Sequence, residues 1–470
     1  MKFTSDVVIG LECHVELKTK SKLFCGCSRT GSEEPNTRTC PVCLGHPGSK
    51  PVLNKKAVDF ALKLALAVGC EISPELIFSR KSYFYPDMSK NYQISQYEIP
   101  LGTGGKIKLA EGTAINLTRI HMEEDPAALV HPNGMAKSTY VLVDYNRSGN
   151  PLVEIVTEPD MTTPAQARDF LKQLISILKY LDIFDAEESS IKADANVSIK
   201  ESDYSRVEIK NISGFKEIER ALNYEIDRQK KMVKERKKIV LETRAWDSDV
   251  GITRSMRLKE TEADYGYIVD PDLVVSEIDD KWVEKIRSEL PELAHEKTKR
   301  FIKDYKIDNV DAAVLSAQIE IAELFEKVAS KISPKLAAKW LRRELARVMN
   351  YNNLDFADIE IDETHLIDLL SLVEKKDITE NVAQKILEKL IQKPFDVKVY
   401  IKKEGLGAVK DTKALEDFCK QVIDSNEKVI GEYKEGNVKS LNFLMGQVMR
   451  LSKGTADPGQ VRELLIKLVK

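Results

Sequence analysis

Four cysteines near the start of the chain constrain its fold more than any other feature. Cys25 and Cys27 form a C-x-C pair, Cys40 and Cys43 a C-x-x-C pair, and twelve residues separate the two. Each pair can present two thiolates from a tight turn, so the segment must close on itself around a common centre. The spacing is that of a structural zinc knuckle. Disulfides would need an oxidising compartment, whereas the chain opens Met-Lys-Phe-Thr-Ser-Asp without an apolar segment and its cysteine count, seven, is odd. Pro41 suits the turn between the thiolates, and Gly45 lets backbone amides approach sulfur. Cys70 and Cys419 sit among apolar residues and read as buried structural cysteine; Cys13 and His46 are fallback ligands only.

A second kind of chemistry lies just upstream, in Glu12-Cys13-His14-Val15-Glu16. If Val7 to Leu17 is extended, Glu12, His14 and Glu16 share one face and Cys13 and Val15 the other. Two carboxylates and an imidazole suit a hard cation such as Mg²⁺, which wants oxygen donors and keeps positions open for water or phosphate.

At 470 residues the chain exceeds what one core usually supports. A hydrophobic content of 42%, 31% charged residues and a net charge of −3 predict a soluble, cytoplasmic protein. No apolar run approaches a membrane-spanning length, so no membrane partner is expected, and the near-neutral charge means that any nucleic-acid partner must be argued locally.

The fold class that the periodicities predict is α+β: a large mixed sheet domain, then an all-helical domain, then a small helical tail, with boundaries at 1–292, 293–398 and 399–470. Short Val- and Ile-rich runs at Thr139–Asp144, Pro151–Val156, Ala195–Ile199 and Arg206–Lys210 read as strands. A helix opens at Thr163-Pro164 and runs to Leu181, and another covers Ile218 to Met232, ending in a solvated basic stretch from Lys234 to Lys238. Beyond Pro291 strand signals nearly vanish, and after Gly405 and Gly407 three short helices are expected from Lys413 onward.

Several further clusters carry chemistry. His121-Met-Glu123-Glu124-Asp125 packs three carboxylates beside a histidine, a repulsion that a divalent cation relieves in a cleft. A polar loop with Asn146 and Arg147 follows a strand end at Asp144, and Glu154 lies between apolar neighbours on the next strand. Lys81, Tyr83 and Tyr85 open a segment of cations and aromatics that suits a nucleotide or a tRNA end. The mixture recurs at Glu208-Ile-Lys210-Asn211 and at Thr253 to Glu262, as expected of a cleft that handles phosphates and cations together. Neither a G-x-x-x-x-G-K-[ST] loop nor a G-x-G-x-x-G after a strand is present.

Taken in order, Val8-Ile-Gly-Leu-Glu12-Cys-His14-Val-Glu16, Lys22-Leu-Phe-Cys25-Gly-Cys27, Cys40-Pro-Val-Cys43, Tyr83-Phe-Tyr85-Pro-Asp87, His121-Met-Glu-Glu124-Asp, Asp144-Tyr-Asn-Arg147, Pro151-Leu-Val-Glu154, Asp194-Ala-Asn196, Val207-Glu-Ile-Lys210-Asn, Glu242-Thr-Arg244 and Lys259-Glu260 resemble the B/E family of glutamine-dependent tRNA amidotransferase subunits, and within it the B type. Phe443-Leu-Met-Gly446-Gln-Val-Met449 with Asp457-Pro458 is similar to the family's tRNA-engaging tail.

The resemblance implies a carbon–nitrogen ligase that uses ATP and Mg²⁺ to phosphorylate the side-chain carboxylate of Glu-tRNA(Gln) or Asp-tRNA(Asn). It also implies amidation with ammonia from a glutaminase A subunit, in a heterotrimer completed by a C subunit. By motif matching, His14, Glu124 and Glu154 are the expected Mg²⁺ ligands, with Glu12, Asp194 and Glu208 in the same catalytic cleft. Lys81, Tyr83, Tyr85, Asn146, Arg147, Lys210 and Asn211 are the expected ATP or substrate contacts, and Cys25, Cys27, Cys40 and Cys43 hold structural zinc. The chain departs from the family pattern at Pro126-Ala127-Ala128, at Lys192 and within Asp264–Asp272. A zinc-bearing tRNA-binding scaffold with an inactive acid cluster is the competing reading. It gives no reason for His14, Glu124 and Glu154 to occur together.

Overall fold

The computed structural model describes residues 6–134, 138–185, 191–258, 262–352, 354, 356, 359–409, 412–434 and 437–469. The chain divides into two compact units, Met1–Pro291 and Glu292–Lys470, so the boundary expected after residue 292 falls at Pro291.

Seven strands and three helices carry the first unit: β1 (Val7–Glu16), α1 (Lys55–Ala67), β2 (Ala114–Glu124), β3 (Pro151–Thr157), α2 (Pro164–Tyr180), β4 (Ile191–Ile199), β5 (Val207–Ser213), α3 (Phe215–Lys234), β6 (Glu242–Asp247) and β7 (Ile252–Leu258). In the sheet they run β7-β6-β5-β4-β1-β3-β2. Gly102–Thr103 and Glu71–Ile72 continue it beyond β2, and Lys106–Lys108 also pairs with β2. Neighbours are antiparallel except β5 and β6, which run parallel. A parallel pair needs a crossover, and α3 supplies it.

Alternation gives the sheet two unlike faces. Leu11, Cys13, Val15, Ile120, Met122, Val153, Ile155, Ala193, Ala195 and Val197 are all buried on one of them. Helices α1, α2 and α3 pack along this sheet and supply the matching apolar side chains, among them Leu64, Phe170, Leu174, Ile218 and Leu222. The start of α2 follows its sequence signal: Thr163 accepts a hydrogen bond from the Gln166 amide, and Pro164 occupies the first turn. At the other end of α3, Lys234 to Lys238 are exposed, as expected of a solvated helix end. The expected strand at Thr139–Asp144 is shorter, Leu142–Asp144, and pairs with Ala128–Val130.

The second unit is helical, from Ala294–Tyr305 to Pro458–Val469, and contains two separate hydrophobic cores. One is built on Phe301, Phe325, Trp340, Leu369 and Ile386; the other on Cys419, Leu441, Leu444, Val461 and Leu465. Gly405, left-handed at φ 63°, closes the last helix of the first core. The second core has four described helices rather than the expected three: Thr412–Asp424, Glu427–Lys434, Val438–Leu451 and Pro458–Val469. Ser425 and Asn426 interrupt the run, and both hydrogen-bond back onto the preceding turn, a habit that suits helix ends better than helix interiors.

Phe170 is fully buried on α2. Phe170→Ala is expected to destabilise the first unit by about 3–5 kcal/mol, read from its urea unfolding transition. A loss under about 1 kcal/mol would mean that α2 does not anchor the sheet.

Candidate functional site

The face of the sheet opposite the helices carries the polar residues, and its register decides which of them meet. His14 on β1 lies opposite Glu154 on β3, and Glu154 lies opposite His121 on β2. Glu123, two residues beyond His121, shares their face. His14 Nδ1 is 3.0 Å from Glu123 Oε1 and His121 Nε2 is 3.0 Å from Glu154 Oε2. One ligand atom each of His14, Glu123 and Glu154 can be found with all three within 4.8 Å of one another.

Glu12, Asp194 and Glu208 form a second such group beside it. Glu12 faces Asp194 across β1 and β4, and Asn196, opposite Glu208, donates to Glu12 at 3.0 Å. Thr243 on β6 donates to Glu208 at 2.7 Å. Lys210 serves both acids, 2.5 Å from Asp194 and 3.6 Å from Glu208. The two triads meet at His14, whose Nε2 is 4.0 Å from Asp194. All their members except Asp194 line one cavity of about 480 Å³, with Lys81, Arg119, Tyr265 and Tyr267 on other parts of its wall. Asp194 lines an adjoining hollow with His14, Glu123 and Lys210.

Five buried or half-buried carboxylates in so small a space demand positive charge. Burial opposes a charge on the His14 ring, but Glu154, Glu123 and Asp194 outweigh it and push its pKa up to about 10. Burial likewise opposes the Glu154 carboxylate, yet His121 and His14 hold it well below the usual range. Burial would discharge Lys210, and Asp194 and Glu208 keep it charged. Each triad offers oxygen donors on a rigid sheet with open space in front, which fits a hard divalent cation.

The strand geometry corrects one expected ligand. Glu124 stands one residue from Glu123 and therefore points to the other side of β2, where its carboxylate pairs with Lys90 and accepts from the Ile94 amide at 2.8 Å. Its place beside His14 and Glu154 is taken by Glu123. Glu16, on the favoured face of β1, is also diverted: Arg29 at 3.1 Å and Asn150 at 2.8 Å hold it at the strand end.

Among the expected contacts, Lys81 and Lys210 line the cavity. Lys81 lies over the Tyr265 ring at 4.7 Å. Tyr83 and Tyr85 stack on each other at 5.7 Å, and Tyr83 reaches Tyr265 at 6.4 Å, one ring behind the cavity wall. Asn146 and Arg147 do other work. Asn146 accepts from the Arg38 amide and donates to the Glu34 carbonyl, both at 2.7 Å, and so shapes the loop between the cysteine pairs. Arg147 donates to the Pro126 and Ala127 carbonyls and pairs with Asp125 at 3.3 Å. The Asn211 side chain, Lys259 and Glu260 lie outside the described residues. His121 joins the site from the acidic cluster in which the sequence placed it, whereas Arg119 and Thr243 carried no such signal; counting every second residue back from Glu123 along a strand reaches Arg119.

Sγ atoms of Cys25, Cys27, Cys40 and Cys43 all lie within 4.8 Å of one another, and no disulfide joins them. The Cys25 thiol hydrogen-bonds to Cys43, and this, with the Lys22 charge, brings Cys43 down to about 5 despite burial. Lys22 is fully buried, its ammonium 2.8 Å from the Arg38 carbonyl and 3.8 Å from Cys43 Sγ. Among the described residues no carboxylate pairs with this ammonium; a buried ammonium needs an anionic neighbour, and a metal-bound thiolate cluster would be one. Four soft donors beside a fixed positive charge fit a tetrahedral thiolate site. Gly45 has φ 69°, and a Cβ there would collide with the Lys90 side chain, so the turn after Cys43 requires glycine. Cys13, on the apolar face of β1, and His46 lie outside the cluster.

A mixed sheet with an acid-lined cavity on its open face and a four-thiol knot beyond the end of its central strand β1 has the make-up of a catalytic domain. Residues 7–284 match the GatB/GatE catalytic domain, and residues 323–469 match the GatB domain. The B subunit of the aspartyl/glutamyl-tRNA(Asn/Gln) amidotransferase of Carboxydothermus hydrogenoformans is 43% identical over 98% of both chains. That of Moorella thermoacetica is 42% identical over 98% of both, and that of Trichlorobacter lovleyi 43% identical over 97% of this chain and 98% of its own. The chain belongs to this family of amidotransferase B subunits.

The two adjacent glutamates separate cleanly by experiment. Glu123→Gln is expected to weaken Mn²⁺ binding at least about tenfold by titration calorimetry. Glu124→Gln is expected to leave Mn²⁺ affinity unchanged and to cost about 3–5 kcal/mol of stability, because it strands the buried Lys90 ammonium. The opposite pattern would return the ligand role to Glu124.

Proposed function

We propose that this chain activates and amidates misacylated tRNA: it phosphorylates the side-chain carboxylate of Glu-tRNA(Gln), Asp-tRNA(Asn) or both at the expense of ATP, then lets ammonia displace phosphate. The observation that carries this reading is the convergence of His14, Glu123, Glu154, Glu12, Glu208 and Lys210 on one cavity, with Asp194 beside it in contact with Lys210. The names of its relatives agree with it.

A carboxylate is a poor acyl donor because oxide is a poor leaving group, and transfer of a phosphoryl group to it supplies a good one. Mg²⁺ held at these carboxylates would neutralise the charge that builds up as the phosphoryl group moves. His14, Glu123 and Glu154 are its proposed ligands, with Glu12, Asp194 and Glu208 able to hold a further charge. Lys210, fixed between Asp194 and Glu208, presents a cation of constant position to the phosphates. Lys81 and the stacked tyrosines behind it offer aromatic faces and charge to a nucleotide or a tRNA end.

Ammonia must come from elsewhere. Outside the four-cysteine cluster the cysteines are Cys13, Cys70 and Cys419, all buried. Burial pushes all three thiols up, Cys70 to about 11, so none is a ready nucleophile for glutamine. A glutaminase A subunit, joined by a C subunit, is the proposed source. The second helical core is proposed to engage tRNA, the four cysteines to hold structural zinc, and the complex to work in the cytoplasm, a reading consistent with the lack of any described helix long and apolar enough to cross a membrane.

In a complex reconstituted with His14→Ala as its only change, ATP-dependent formation of the acyl phosphate on Glu-tRNA(Gln) or Asp-tRNA(Asn) is expected to fall at least about a hundredfold. Unchanged phosphorylation would sink the proposed metal face. Metal analysis of protein purified without chelators should find about one zinc per chain, and Lys22→Met should speed its release to a chromogenic chelator. Zinc-free protein of unaltered melting temperature would remove the structural role of the knuckle.

A further inference from the structure

One cation of the cavity is unemployed. Arg119 lies on β2, on the same face as His121 and Glu123, and lines the cavity with them. Among the described residues it makes neither an ion pair nor a hydrogen bond, and its Nε is shielded from solvent with no acceptor. Its neighbour on that face shares the defect, for the Nδ1 of buried His121 also lacks a partner. Two unsatisfied nitrogens on one short stretch of strand are an unfavourable arrangement unless a ligand completes it.

The register explains why the cavity acids leave Arg119 alone. Arg119 lies opposite Val156 on β3, and Val156 lies opposite Glu12 on β1, so an apolar side chain separates the guanidinium from the nearest acid in its row. Two interstrand steps amount to roughly 9–10 Å between the Arg119 and Glu12 backbones. Glu154, diagonal to Arg119, is engaged by His121 at 3.0 Å. The gap over Val156 is therefore open cavity, with cation-binding acids on one side and a free guanidinium fork on the other.

Resting on the function proposed above, we infer that Arg119 binds substrate there, taking an oxyanion in its guanidinium fork across from the carboxylate triads. The fork geometry matches the paired oxygens of a carboxylate or a phosphate. Both occur in the reaction, as the side-chain carboxylate of the aminoacyl-tRNA and as the phosphates of the nucleotide. In either case Arg119 places the anion between itself and the cation site, so that the attacking oxygen and the transferring phosphoryl group meet over Val156.

The test uses the reconstituted complex with Arg119→Gln, Arg119→Lys and Arg119→Ala. Since no protein group relies on Arg119, all three are expected to melt within about two degrees of the wild type; a fall of several degrees would overturn the inference in favour of a structural arginine. Mg²⁺-bound non-hydrolysable ATP analogue is titrated by calorimetry, and KM for Glu-tRNA(Gln) and Asp-tRNA(Asn) is measured with saturating ATP. If the oxyanion is phosphate, Arg119→Gln weakens the analogue at least about tenfold and leaves the tRNA KM alone. If it is the carboxylate, the tRNA KM rises by a similar factor and nucleotide affinity holds. Arg119→Lys recovers only part of the loss, and millimolar guanidinium partly restores Arg119→Ala. Neither parameter moving, with no guanidinium rescue, refutes the inference while wild-type activation stands. A wild-type complex that performs no ATP-dependent activation refutes the proposed function itself.

Discussion

The position of β1 between two antiparallel partners is the constraint on which the rest depends. Its hydrogen bonds to β3 and β4 set Glu12 against Asp194 and His14 against Glu154. Because side chains alternate with a period of two, a slip of one residue in either pairing would turn Glu12 and His14 into the helices and Leu11, Cys13 and Val15 into the cavity. The apolar face thus enforces the polar one. Burial of Leu11 and Val15 under the helices is what holds a carboxylate and an imidazole in a place they would not choose by themselves.

That enforced crowding accounts for the electrostatics. Asp194 and Glu208 are tolerated side by side because Lys210 is locked between them. Glu123 and Glu154 are tolerated because His14 and His121 each face one of them.

Periodicity in the sequence was enough to find β3, β4 and β5, the helices α2 and α3 and the change of character at Pro291, but not β2, β6, β7 or α1; ligand spacing was enough to bring the four cysteines together. Motif resemblance placed Glu12, His14, Glu154, Asp194 and Glu208 in one cleft. What none of these could resolve is parity. In Glu123-Glu124 two identical side chains differ only in which face of β2 they occupy, and that is fixed by a register with β3 that is invisible in the chain itself. Asn146 and Arg147 illustrate a related limit: polar residues beside an active face read as ligands, yet their neighbours in space, Glu34, Arg38, Pro126 and Ala127, make them braces. The extra helix near the end turned on Ser425 and Asn426, whose local hydrogen bonds end a run that composition would have continued.

The crossover order of the sheet also sets a timetable for synthesis. Glu12 is held by Asn196, 184 residues later, and β1 has no permanent neighbour on either edge until β3 and β4 have left the ribosome. At about 5–20 residues per second the nascent chain carries an unpaired, Val-rich edge strand for roughly 10–40 seconds. Over that interval the acids of the cavity have no scaffold and the edge is open to other strands. The four-thiol loop follows β1 almost at once, between residues 25 and 43, and needs only local closure. A metal bound there would make this loop the first ordered structure of the emerging chain, long before the site it adjoins exists.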